Sequence, residues 1–108
     1  HDAARCLLHA ADVRRLVSAC VADGVGGLLA LPLPDTLKQA DDAGRVALTL
    51  ARHDKWLAQT PQMFRLGALL QALSGTLQGI TDEASAMERA GASPLLVAGP
   101  SMNIKVTY

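Results

Sequence analysis

An uninterrupted apolar run, Gly26-Gly27-Leu28-Leu29-Ala30-Leu31, stands directly after an amphipathic stretch, and that succession leaves few folds open. From Ala10 to Ala22 the residues Val13, Leu16, Val17, Cys20 and Val21 recur at helical spacing, with Arg14 and Arg15 on the other side. The pattern predicts an amphipathic helix, which Asp23 and Gly24 end. The run that follows shows no alternation, as expected of a strand buried on both faces. A helix followed by such a strand is the grammar of an α/β domain.

Downstream, Pro32 and Pro34 exclude a long regular element. The turn-forming stretch Asp41-Asp42-Ala43-Gly44 separates Asp35-Thr36-Leu37-Lys38 from the alternating Arg45-Val46-Ala47-Leu48-Thr49-Leu50, predicting a hairpin. Trp56 to Thr60 reads as extended. Pro61 then suits the first position of a helix through Phe64, Leu66, Leu69, Leu70 and Leu73, placing Thr60 at its N-terminus. Thr81-Asp82-Glu83-Ala84 resembles a helix start with Thr81 as cap, ending near Gly91. Pro94–Val97 and Ile104–Thr107 are the last candidate strands. The expected architecture is one three-layer α/β unit with a projecting hairpin.

With 50% hydrophobic and 19% charged residues, the 108-residue chain should pack as one domain rather than stay disordered. Ten basic residues balance ten acidic ones without a run of one sign, so neither nucleic acid nor a membrane surface is expected as partner. Any anion site must be local. Cys6 and Cys20 form no disulfide framework or zinc spacing, which favours a reducing, cytoplasmic setting. The apolar stretch from Val25 to Leu33 is too short to cross a bilayer. The chain opens on His1-Asp2-Ala3-Ala4-Arg5 without a Met or signal peptide, and Tyr108 follows directly on a candidate strand; further sequence is expected on both sides.

Polar residues collect where strands should end: Asp2, Arg5, Thr36, Lys38, Arg52, Thr60, Thr81 and Lys105. Ligands of open α/β sheets bind at such ends. Arg5, Arg52 and Lys105 with threonine hydroxyls suit a phosphorylated substrate, since guanidinium groups grip phosphate bidentately and an ammonium acts as a point charge. Asp2 suits a metal or a sugar hydroxyl. Singly, each has a plainer use: Asp2 with Arg5 as a surface ion pair, Thr81 as a cap, Arg52 and Lys105 as solvated cations. His1, His9 and His53 lack metal-ligand spacing, and no Ser/His/Asp arrangement or phosphate-binding glycine loop is present in these residues.

Taken in order, His1-Asp2-Ala3-Ala4-Arg5, Asp35-Thr36-Leu37-Lys38, Arg52 ahead of Trp56, Thr60-Pro61-Gln62-Met63-Phe64, Thr81-Asp82-Glu83-Ala84-Ser85 and Asn103-Ile104-Lys105-Val106-Thr107 span the chain. Their order and spacing resemble the 2-C-methyl-D-erythritol 4-phosphate cytidylyltransferases. The resemblance implies a Rossmann-like nucleotidyltransferase fold dimerised through a β-arm, here about residues 34–56. It implies transfer of CMP from CTP to methylerythritol phosphate with release of pyrophosphate, in non-mevalonate isoprenoid precursor synthesis. Carried over by position, Asp2 would order the reacting phosphates with Mg²⁺, and Ala3 would approach the nucleotide through its backbone. Arg5, Thr36, Thr81 and Lys105 would surround the methylerythritol phosphate, Lys105 also lying near the exchanging phosphates. Thr60 and Arg52 would grip the substrate phosphate, Arg52 reaching from the partner subunit's arm.

The sequence departs from the family pattern at Cys6, where proline is usual, and the family's glycine-rich loop for the CTP triphosphate is not among these residues. Residues 1–108 therefore match the C-terminal part of one cytidylyltransferase domain and are expected to be inactive without the nucleotide-loop half. Two alternatives share many of these features. A ribitol 5-phosphate cytidylyltransferase has the Asp-Ala-Ala-Arg and Thr-Pro-Gln blocks, and a non-catalytic remnant or binding domain could retain the sheet and arm.

Overall fold

The computed structural model describes residues 1–107; Tyr108, read above as closing the chain after a strand, lies outside them. Helix α1 (Ala10–Asp23) forms as its periodicity predicts, with Asp12 in the first turn. Gly24 ends it in the left-handed conformation at φ 87°, where its N–H bonds the Cys20 carbonyl. Strand β1 (Gly27–Pro32) follows, its first four residues all buried.

β1 is the middle strand of a three-stranded sheet, between β4 (Trp56–Met63), antiparallel to it, and β5 (Leu95–Ala98), parallel to it. Consecutive strand residues point to opposite faces, so Leu28 and Leu29 serve two layers. Leu29 packs on Leu16 and Cys20 of α1, with Leu8, Met63 and Val97 around them. Leu28 turns toward α3 (Glu83–Arg89), sharing a recess with Ala84 and Glu88. A second core joins α2 (Leu66–Ala72) to α3 through Ala72, Ala86 and Met87, with Phe64 and Leu69 packed against it. This is the expected α/β sandwich, helices on both faces. Gly26, at φ 108°, permits the close passage of β4, since a Cβ there would overlap the Met63 carbonyl and the Phe64 ring.

The hairpin also forms, as β2 (Leu37–Ala40) paired antiparallel with β3 (Val46–Leu50) in a separate two-stranded sheet. Asp41 makes its turn: the carboxylate accepts from the N–H groups of Ala43 and Arg45, each at 2.9 Å. Lys38 donates to Thr49 Oγ1 across the pair at 2.7 Å.

Three expectations fail. Pro61 does not begin a helix. β4 runs on to Met63 through a cis Thr60–Pro61 bond, and α2 starts only at Leu66. The ladder already breaks there: Ala58 faces Ala30 and Gln62 faces Leu28, so Gln59, Thr60 and Pro61 bulge opposite Leu29 alone. A proline missing its N–H costs nothing at a bulge. Thr81 is not the cap of α3; Asp82 is, accepting from Ser85 N at 2.7 Å while Ser85 Oγ accepts from Asp82 N at 3.1 Å. Ile104–Thr107 is no strand; Val106 N–H bonds the Ala4 carbonyl at 2.9 Å without a ladder.

Leu29 is fully buried at the junction of α1 and the sheet. Leu29→Ala should lower the unfolding free energy of the domain by about 2–5 kcal/mol, measured by urea denaturation.

Candidate active site

The first five residues form a turn held by its own aspartate. Asp2 Oδ1 accepts from Ala4 N at 2.9 Å, and Arg5 N donates to the Asp2 carbonyl at 3.0 Å. Asp2 N–H donates to Thr60 Oγ1 at 3.0 Å, fixing the turn to the β4 bulge. His1 bridges the same groups. Its Nε2 lies 3.1 Å from the Arg5 carbonyl, which can only accept, so in the neutral ring Nδ1 is the acceptor for the Thr60 hydroxyl 3.0 Å away.

Lys105 comes from the other end of the chain to meet this turn, its Nζ 3.1 Å from Asp2 Oδ2. Both side chains remain partly open to solvent, at 51% and 31% exposure, so the pair can exchange partners with a ligand. The Ala4 N–H, and after it Lys105, hold the Asp2 carboxyl below its usual pKa. Asp2 is therefore an anion at neutral pH.

These groups line one wall of a cleft of about 650 Å³; Thr81, Asp82 and Glu83, at the start of α3, line the other, with Gln62 between. Gln62 ties the walls together. Its Nε2 donates to Asp82 Oδ2 at 2.9 Å and to the Gln59 carbonyl at 3.2 Å, and its Oε1 accepts from Ala84 N at 2.8 Å.

Asp2, Arg5, Thr60, Thr81 and Lys105 thus converge on one cleft, as their spacing in the sequence could not show. Arg5 plays a more structural part than expected: Nη1 donates to the Asn103 carbonyl at 2.6 Å and Nη2 to the Ala58 carbonyl at 3.4 Å. Ala3 is exposed on the turn. Thr36 and Arg52 belong to the hairpin and do not line this cleft; the Arg52 guanidinium donates to the Pro34 carbonyl at the hairpin base. Gln62 and Asn103 stand in the sequence motifs without an assigned role, and Gln59 in the extended stretch before them. Their signal was position alone, Gln62 beside Pro61 and Asn103 two residues before Lys105.

Among the described residues no group of three or more His, Cys, Asp or Glu side chains could enclose a metal. The donor set instead offers the Asp2 carboxylate beside room for phosphates, with Asp82 and Glu83 across the cleft, which suits magnesium, an ion commonly held by one or two carboxylates and phosphate oxygens.

An α/β sandwich with a cleft of mixed charge and hydroxyls beside the bulge of its edge strand β4 is compatible with a Rossmann-like nucleotidyltransferase domain. The family model of 2-C-methyl-D-erythritol 4-phosphate cytidylyltransferase matches residues 1–108. The cytidylyltransferase of that name from Chromobacterium violaceum is 60% identical over 109 residues, covering all of this chain and 48% of its own length. The bifunctional enzyme IspD/IspF of Albidiferax ferrireducens is 63% identical, with all of this chain matching 26% of that protein. The crystal structure of the Francisella tularensis cytidylyltransferase superposes with a TM-score of 0.89 at 38% identity, over all of this chain and 52% of that one. The chain belongs to the 2-C-methyl-D-erythritol 4-phosphate cytidylyltransferase family. It spans about half the length of the single-function relative and about a quarter of the bifunctional one.

Because its pKa is lowered, Asp2 contributes stability that is present above the ordinary carboxylate value and lost as pH falls through the lowered one. The melting temperature of Asp2→Asn should lie below that of the parent near about pH 7, and the two should converge below about pH 4. A gap unchanged down to about pH 3 would contradict the lowered pKa of Asp2.

Proposed function

We propose that this chain supplies the substrate-phosphate half of a cytidylyltransferase that transfers CMP from CTP to 2-C-methyl-D-erythritol 4-phosphate and releases pyrophosphate, in isoprenoid precursor synthesis. One observation carries the reading: Asp2, Arg5, Thr60, Thr81 and Lys105, set far apart in the family's motifs, line a single cleft. The names of the relatives and of the matching family model favour methylerythritol phosphate over the ribitol 5-phosphate alternative. The activity is proposed for the complete protein, in which the glycine-rich loop holding the CTP triphosphate lies outside these 108 residues.

In this reading a phosphate oxygen of the sugar substrate attacks the α-phosphorus of CTP, and the bond to pyrophosphate breaks in line with it. No protein nucleophile takes part, so catalysis is positioning and charge neutralisation. Lys105 neutralises charge on the exchanging phosphates as it moves from Asp2 toward them. Asp2, kept ionised, orders the phosphates and substrate hydroxyls. Bound Mg²⁺, with Asp2 as its protein ligand, would supply further neutralisation of phosphate charge. Ala3 approaches the nucleotide through its backbone, while Arg5, Thr36 and Thr81 surround the sugar phosphate and Thr60 holds its phosphate.

Arg52 enters this scheme from a second subunit. The β2–β3 hairpin supports that assignment, because a two-stranded sheet standing by itself is marginal in water. Its Val46 and Leu48, on one face of β3, are 62% and 45% exposed, as suits apolar residues awaiting a partner. A homodimer joined through the arm would cover them and bring Arg52 to the neighbouring cleft. No helix among the described residues is long and apolar enough to cross a membrane, and a cytoplasmic location fits substrates of this kind.

The test is pyrophosphate release by the complete protein with CTP, Mg²⁺ and methylerythritol phosphate; no release dependent on the sugar phosphate would sink the proposal. Lys105→Ala should reduce kcat/KM by a factor equivalent to about 2–4 kcal/mol. Arg52→Ala should raise KM for the sugar phosphate more than for CTP, and equal effects on both would remove Arg52 from the substrate phosphate.

A further inference from the structure

Asn103 is wholly buried, yet lies in a segment with no regular structure, Pro100 to Thr107. Its side chain does the holding that a strand ladder would otherwise do. Nδ2 donates to the Thr60 carbonyl at 2.8 Å and to Gln59 Oε1 at 3.1 Å. The Thr60 carbonyl can only accept, which fixes the orientation of the Asn103 amide. Gln59 is fixed in the same way, its Nε2 donating to the Pro100 carbonyl at 3.2 Å. A Cβ at Gly99 would overlap Gln59 Oε1, so a glycine there leaves room for this amide. On its backbone side, Asn103 offers the carbonyl that receives Arg5 Nη1 at 2.6 Å.

Asn103 therefore stands between the β4 bulge that carries Thr60, the turn that carries Arg5 and the segment that carries Lys105 two residues on. We propose that Asn103 is a positioning residue of the transfer reaction, its side chain setting Lys105 opposite Asp2. This rests on the cytidylyltransferase reading above. Position matters more here than in chemistry that uses a protein nucleophile, since a cation serves developing phosphate charge only from the right place.

Asn103→Asp tests this without changing volume. Its carboxylate would face two acceptors, the Thr60 carbonyl and Gln59 Oε1, where an amide N–H₂ now donates. In the complete enzyme, kcat should fall on the order of 100-fold, as expected when a catalytic group is displaced by about an ångström. KM for CTP should stay largely unchanged. In a Lys105→Met background, the same substitution should add less than about twofold, because two changes acting through one group do not add. Amine-reactive footprinting read by mass spectrometry gives a measure independent of turnover: Asn103→Asp should raise the labelling of Lys105 while Lys38 and Lys55 stay constant.

A normal kcat with unchanged Lys105 labelling would overturn the proposal, as would a full additive loss on top of Lys105→Met. An unaltered enzyme with no turnover, but with Lys105 labelling that still responds to Asn103→Asp, would refute the cytidylyltransferase reading and leave the link from Asn103 to Lys105 standing. Should Asn103→Asp not fold, Asn103→Ser, which has one donor for the two acceptors, carries the same measurements.

Discussion

The bulge in β4 is the constraint on which the cleft depends. Opposite Leu29 alone, β4 places Gln59, Thr60 and Pro61, and the ladder resumes at Gln62. Side chains that would alternate across an unbroken strand are re-aimed by the extra residues. Gln59 turns inward to Asn103 and Pro100, the Thr60 hydroxyl meets Asp2 N–H, and Gln62 reaches Asp82 and the N-terminus of α3. One irregularity thus fixes the turn at Asp2, the segment at Lys105 and the helix start at Asp82.

The bulge is tolerable because the rest of the sheet is secure. Leu29 is sealed by α1, Leu28 faces the opposite layer, and β5 pairs with β1 from Gly27 to Ala30. Polar groups near the cleft are largely satisfied by one another, as low-dielectric surroundings require. Among buried side-chain atoms of the described residues, Arg5 Nε and Asn103 Oδ1 are left without a partner. Both lie in the wall that presents Lys105, beside the proposed chemistry rather than in the α1 core.

The hairpin follows a different logic. Its turn is determined locally, by the Asp41 carboxylate accepting from two N–H groups, and its strands by alternation. Nothing in its own pairing buries Val46 or Leu48. Such an element gains stability from what it meets outside itself, which accords with the arm proposed to carry Arg52 toward a second subunit.

Local signals in the sequence settled α1, the buried run of β1 and the hairpin, because periodicity, Gly24 and the Asp41 turn act over a few residues. They also settled the family, since ordered motifs survive without knowledge of their contacts. Where local rules misled, the hydrogen bonds had gone elsewhere. Pro61 suited a helix start until β1 claimed β4 as far as Met63, Thr81 suited a cap until Asp82 and Ser85 bonded reciprocally, and Ile104 to Thr107 suited a strand that found no ladder. The convergence of Asp2, Thr60, Thr81 and Lys105, and the buried amides of Gln59 and Asn103 behind them, were decided by tertiary structure alone. Residues so far apart in the chain meet through hydrogen bonds whose partners no local pattern encodes.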